Sequence, residues 1–253
     1  MEFETKVQFL TQPEHNRRTI VISDIHGHRA WLEKLLKKVD FSEKDILIIV
    51  GDMIEKGPER LNTLRYIMEL CEKYTVYPMM GNVDLWRIQM LLTEDGSLDQ
   101  ELYETNERMR QYWKATFFQD LCREAGVSVK TPEEIPAARE AVLAKFQKEL
   151  TFMKELPTIL VTPAFTFVHG GLVHEKLEDN FHLPPFQLLK NDNFINQGKH
   201  FDKYVVVGHW PVCLYRSDIE SSAPYISEEQ KIIAIDGGCG IKRDDQLNAL
   251  IIP

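Results

Sequence analysis

Thr19-Ile20-Val21-Ile22-Ser23-Asp24-Ile25-His26-Gly27 is an apolar, β-branched run that stops at two metal-ligand side chains and a glycine. Ile46-Leu47-Ile48-Ile49-Val50 then leads into Gly51-Asp52, with Glu55-Lys56-Gly57-Pro58 following. Short, continuous apolar runs of this kind read as buried strands. Three more end in the same manner. Val76-Tyr77-Pro78-Met79-Met80 leads into Gly81-Asn82-Val83-Asp84, Phe165-Thr166-Phe167-Val168 into His169-Gly170-Gly171, and Tyr204-Val205-Val206-Val207 into Gly208-His209. Buried strands bring their chain ends to one edge of a sheet, so ligands placed just after them converge there. Asp24, Asp52, Asn82, His26, His169 and His209, gathered at one edge, predict a two-metal site.

Outward from these runs, the first part of the chain alternates strand and helix. Trp31, Leu32, Leu35, Leu36 and Val39 fall at helical spacing over 29–39, and Leu61, Leu64, Met68 and Cys71 mark the inner face of a second helix. Pro58 and Glu59 stand at its start. This reads as a βαβαβ half with parallel strands. Between Asp84 and Leu156 the pattern changes. A charged, aromatic-rich stretch over 101–123 lacks Gly and Pro, and Met109, Tyr112, Trp113 and Phe117 fall near one face; from Ala137 onward Val142, Phe146, Leu150 and Met153 recur at helical spacing. Residues 85–156 are therefore expected to form a helical insertion, either a cap over the site or an ordinary packed helical layer. Short strands return at 158–161, 164–168, 203–208, 231–236 and 247–252, while 176–197 reads as loop, with Pro184-Pro185 excluding a helix.

At 253 residues and 43% hydrophobic, the whole chain, 1–253, can form one large domain that includes the insertion. A formal charge of -9 argues against nucleic acid held by charge alone, although a metal site binds phosphate locally. No apolar run has transmembrane length, and Met1-Glu2-Phe3-Glu4-Thr5-Lys6 lacks the pattern of a signal peptide, so no membrane partner is expected. Cys71, Cys122, Cys213 and Cys239 are scattered, as suits reduced thiols in the cytoplasm.

Taken together, the blocks resemble the phosphoprotein phosphatase branch of the calcineurin-like metallophosphoesterases. That family carries Asp-x-His-Gly, Gly-Asp-x-x-Asp-Arg-Gly, Gly-Asn-His-Glu, His-Gly/Ala-Gly and Gly-His-Thr in this order. The likeness runs from residue 20 to about 240, with the insertion outside it. The resemblance implies an α/β (α+β) fold: a four-layer sandwich of two mixed sheets flanked by helices, with metals at one edge. It assigns Asp24 and His26 to a first divalent ion, Asp52 to both, and Asn82, His169 and His209 to the second. Mn²⁺ is the first expectation, with Fe or Zn²⁺ as alternatives. A metal-bridging hydroxide would then attack phosphorus in line with the leaving oxygen.

Three positions depart from the family. Gly81-Asn82-Val83-Asp84 has Val83 where the resemblance implies a general-acid histidine, oriented by the carboxylate matching Glu55. Lys56 replaces an arginine at the phosphate, giving charge without a bidentate fork. Asp84 stands where glutamate is usual and suits a helix cap. His28 is the candidate substitute acid, with a solvated helix start as its alternative; His174 is a weaker one. Arg243 is a candidate phosphate contact, and Cys239 reads as a passive small hydrophobe in the loop Asp236-Gly237-Gly238-Cys239-Gly240. His15, His182 and His200 have no motif context.

The leading functional expectation is a binuclear phosphoesterase that hydrolyses phosphate monoesters, on serine/threonine phosphoproteins or on small molecules. One alternative is a dinucleoside polyphosphate hydrolase, whose less basic leaving group tolerates a missing acid. Another is a non-hydrolytic binder of a phosphorylated ligand. Oligomeric state is left open.

Overall fold

The computed structural model describes residues 3–10, 17–93, 95–217, 221–240 and 246–253. Its first half runs β1 (Val7–Phe9), β2 (Thr19–Ile22), α1 (Arg29–Lys38), β3 (Ile46–Ile49), α2 (Arg60–Lys73), β4 (Thr75–Pro78) and α3 (Asn82–Leu92). Then follow α4 (Asp99–Trp113), α5 (Phe117–Ala125), α6 (Ile135–Lys145) and α7 (Gln147–Glu155). The last third holds β5 (Ile159–Val161), β6 (Phe165–Val168), α8 (Pro185–Leu189), β7 (Tyr204–Val207), β8 (Tyr225–Ser227), β9 (Ile232–Ala234) and β10 (Leu250–Ile252).

Two mixed sheets result. The four-stranded sheet has the order β10-β2-β3-β4, with β2, β3 and β4 parallel and β10 antiparallel. The six-stranded sheet has the order β1-β5-β6-β7-β9-β8, within which β6, β7 and β9 run parallel. Because strand side chains alternate between faces, each apolar run feeds two interiors. Val21, Ile48 and Val50 meet Leu160, Phe167, Val206 and Ile233 in the seam between the sheets. Ile20, Ile22, Leu47 and Ile49 face the helices, and Val168, Val205, Val207 and Ile232 face the short helices and loops of the far side. This double burial explains runs with no polar alternation, and it gives four layers.

The helical region 85–156 packs its apolar face into the cluster that covers α1–α3: Leu102, Phe117, Phe118, Leu121, Val142, Phe146, Leu150 and Met153 share one core with Leu61, Leu64 and Ile67. The stretch 101–123 is not one helix with an apolar face. It breaks at Lys114, in left-handed backbone (φ 65°), and Thr116 restarts it by capping the Gln119 amide. Tyr112 is consequently 75% exposed while Phe117 is buried.

A second correction concerns Pro184-Pro185. A short helix, α8, does form there, because Pro185 sits at its first position, where no intrahelical partner for N–H is needed. The three-residue edge strands β1 and β8 were not foreseen; both are partly exposed and too short to carry a pattern. The cysteines are free thiols among the described residues. No helix of the described residues is long and apolar enough to cross a membrane.

Candidate metal centre

Parallel β2, β3 and β4 point their C-terminal ends the same way, and so do β6, β7 and β9. All of these ends except that of β9 release a candidate ligand within a few residues, at one edge of both sheets. The first two loops are stitched together there: the Asp24 amide donates to the Gly51 carbonyl at 3.1 Å, His26 to Asp52 at 2.9 Å, and Gly57 back to His26 at 2.8 Å. Close approach explains two glycines. A Cβ on Gly81 would collide with the amide and carboxylate of Asp52, and one on Gly208 with the Asp24 carboxylate.

The donor atoms form two neighbouring groups that share Asp52. In the first, His26 Nε2 lies 3.8 Å from Asp24 Oδ1 and 3.6 Å from Asp52 Oδ2, the three residues forming a buried cluster with metal-ligand spacing. In the second, His169 Nε2 lies 3.4 Å from Asp52 Oδ1 and 3.0 Å from Asn82 Oδ1. His169 Nδ1 is 2.8 Å from the Val50 carbonyl, an acceptor only, so Nδ1 carries a proton and Nε2 is the nitrogen that a cation would claim by displacing its proton. A carboxylate oxygen, an amide oxygen and an imidazole nitrogen thus converge. The His209 ring stands 5.3 Å from that of His169. Its Nε2 is held by Asp192 Oδ1 at 2.7 Å, leaving Nδ1 for a ligand, and its backbone amide donates to Asp24 Oδ2 at 3.0 Å.

Electrostatics fit a cation site. Burial, and then the neighbouring Asp236, pushes the Asp24 carboxyl well above the usual carboxylate range. Burial also pushes Asp236 up to about 6 and, helped by Asp52, Asp84 up to about 7. Burial alone would raise Asp52 and lower His169, but their mutual attraction wins: His169 rises to about 10 and Asp52 falls well below its usual range. Burial and His169 together take His209 down to about 4. Burial and Lys56 likewise lower His26. Crowded, strained carboxylates call for more positive charge than His169 and Lys56 supply. Asp24 Oδ1 adds a direct sign, being buried with no hydrogen-bond partner among the described residues. Carboxylate, amide and imidazole donors without thiolate suit two divalent ions of the Mn²⁺, Fe or Zn²⁺ type.

The remaining sequence candidates fall around this core. Lys56 donates to His26 Nε2 at 2.7 Å, at the edge of the first group. Asp84 caps α3 through the Gly81 amide at 3.1 Å and also accepts the Met53 amide at 3.1 Å, tying the Asp52 loop to the Asn82 loop. Glu55 is fully buried, with Oε1 on Arg87 Nε at 2.6 Å and Oε2 on the Phe117 amide at 2.9 Å. Both its oxygens thus serve the helical region. His28 precedes α1, its ring stacked on Trp31 and its Nδ1 3.1 Å from the Ile25 carbonyl and 3.5 Å from Cys239 Sγ. Arg243 and His15 lie outside the described residues. Sequence reading gave no role to Asp192 or Asp236. Asp236 did carry a signal, since it too follows a buried run, Ile232 to Ile235, and precedes two glycines.

Residues 17–230 match the family model described as calcineurin-like phosphoesterase. A symmetrical bis(5'-nucleosyl)-tetraphosphatase of Shewanella loihica is 46% identical over 68 residues, which is 26% of this chain and 24% of that relative. The chain therefore spans about a quarter of the length of this curated relative. A crystal structure provisionally named a diadenosine tetraphosphatase is similar with a TM-score of 0.61 at 21% identity, over 98% of this chain and 94% of the other. A protein serine/threonine phosphatase from Saccharomyces cerevisiae follows at a TM-score of 0.51 and 13% identity, over 98% and 84%. Both solved structures share the sandwich of two mixed sheets.

Proposed function

Because this chain belongs to the calcineurin-like phosphoesterase family, we propose that it is a two-metal hydrolase whose preferred substrates have leaving groups of low basicity, a dinucleoside polyphosphate foremost. The observation that carries the reading is Asp52, which turns one oxygen to each of two donor groups. Asp24 and His26 would hold one divalent ion and Asn82, His169 and His209 the other, with Mn²⁺ preferred. When bound, such a pair lowers the pKa of a water and offsets charge on the phosphoryl oxygens.

The chain's own residues supply position and charge. His169 keeps its ligand nitrogen directed by donating Nδ1–H to Val50, and Asp192 does the same for His209 through Nε2. Lys56, at the edge of the first group, would offer its ammonium to a phosphoryl oxygen once a metal claims His26 Nε2. Val83 cannot donate a proton to a departing oxygen. An alkoxide leaving group suffers most from that, whereas a nucleotide phosphate departs without one. The tetraphosphatase name of the Shewanella loihica relative favours the same class. Soluble expression in a reducing cytoplasm suits the free cysteines.

The test is turnover by Mn²⁺-loaded protein of diadenosine tetraphosphate, p-nitrophenyl phosphate and a serine phosphopeptide. The expected order is diadenosine tetraphosphate first and phosphopeptide last, with Asp52→Asn reducing all turnover at least about a hundredfold. Turnover of phosphopeptide without diadenosine tetraphosphate rejects the substrate class. No turnover on any of the three favours a non-hydrolytic binder.

A further inference from the structure

The loop carrying Asp52 and Lys56 is gripped from outside the site. It contains three non-glycine residues in left-handed backbone: Asp52 (φ 52°), Glu55 (φ 67°) and Lys56 (φ 56°). A Cβ makes that conformation unfavourable, and it persists where surrounding structure over-determines it. Here the surrounding structure is the helical insertion. Arg87 on α3 is fully buried, as is Glu55, and they pair at 2.6 Å. The start of α5 adds the Phe117 amide to the same carboxylate, at 2.9 Å. Arg87 Nη1 is anchored in turn on Asn106 Oδ1 of α4 at 3.2 Å, and Thr116 donates to that same oxygen.

The far end of the loop is gripped by a second pair. Arg60 donates Nη1 to the Gly57 carbonyl. Its Nε and Nη2 pair with Asp120 of α5 at 2.7 and 3.1 Å, with both side chains buried. Two buried guanidinium–carboxylate pairs are a poor device for stability alone, because desolvation cancels much of their attraction. Arg87 Nη2 sharpens the point, being buried with no hydrogen-bond partner among the described residues. What the two pairs do achieve is geometric. Each ends on the segment between Asp52 and Gly57.

We propose that Arg87 and Asp120 are positioning residues: through Glu55 and Arg60 they fix the 52–57 loop, and with it the places of Asp52 and Lys56 for metal and phosphoryl binding. Neither touches substrate. On this account the insertion is a brace for the site's loop. The inference rests on the two-metal reading of the site, and its test separates the two.

Glu55→Gln/Arg87→Met removes both charges of one pair, and Arg87→Lys keeps the charge but loses the fork. Each full-length variant is compared with the parent by hydrogen exchange of the loop amides and by calorimetric binding of inorganic phosphate to Mn²⁺-loaded protein. The double variant is expected to exchange amides of residues 54–57 at least about tenfold faster. Its phosphate affinity should fall about tenfold, with any loss in kcat/KM residing mainly in KM. A folded double variant with parental loop exchange and phosphate affinity overturns the proposal. Should the double variant not fold, Arg87→Lys decides: faster loop exchange with weaker phosphate binding supports the brace, and parental values for both overturn it. A parent protein that neither binds phosphate nor turns over any phosphoester defeats the reading of the site. Loop exchange in the variants still decides the brace in that event.

Discussion

In the proposed reaction, Val83 is the side chain that sets the demand on substrate. Its backbone N–H is committed to Asp52 Oδ1 at 2.9 Å, so position 83 lies against the Asp52 carboxylate, but its side chain has no proton to give. Val83→His should therefore raise rates on alkyl phosphates and leave anhydrides nearly unchanged, measured as the slope of log rate against leaving-group pKa. Because Arg87 already occupies Glu55, the new imidazole lacks an orienting carboxylate, and the gain should fall short of the roughly 10²–10⁴ that general acids provide. Equal effects on all leaving groups would count against this account. The metal-ligand candidates were legible because each follows a run that must be buried. Asp192 was not, since it sits in a loop with no periodicity and acts only through its contact with His209. The fate of Glu55 was equally hidden, because its partner Arg87 is 32 residues away and nothing local pairs them.

At the scale of elements, caps and breaks decided what could be read. The strand runs and α1 were plain from period and apolar content. The α4–α5 boundary was not, although Thr116-Phe117-Phe118-Gln119 spells a capping box that overrules the lack of Gly or Pro. Thr116 accepts from the Gln119 amide and also donates to Asn106, within the network that reaches Arg87. Thr116→Ala should cost about 1–2 kcal/mol, the upper part of the usual range for a lost N-cap, read as a lowered denaturant midpoint with unchanged m. A cost near zero would mean that α5 is held by packing of Phe117 and Leu121 alone. The same reasoning accounts for α8: a proline inside a helix breaks it, but Pro185 stands at the first position.

Across the whole molecule, the site is where two sheets that share one apolar seam meet at their edges. Asp24, His26, Asp52 and Asn82 follow strands of the four-stranded sheet, and His169 and His209 follow strands of the six-stranded one. Ions held by both sheets should act as staples. Adding Mn²⁺ at a hundredfold excess over its dissociation constant to chelator-treated protein should stabilise it by about 2.7 kcal/mol per ion. For a chain of this size that is a rise in Tm of roughly 5–10 °C per ion. Asp52→Asn, which removes the shared ligand, should abolish most of the rise, and an equal rise in this variant would place the binding elsewhere. The four layers came from the family resemblance, since periodicity alone supported only a parallel first half and a mixed remainder; the pairing of β10 came from neither, as antiparallel closure by a late strand leaves no mark in the sequence. That pairing sets Leu250–Ile252 against Thr19–Val21. Until residues 250–252 have been synthesised and folded back, β2 keeps one margin bare, so the four-stranded sheet stays open on that side through all earlier steps of folding.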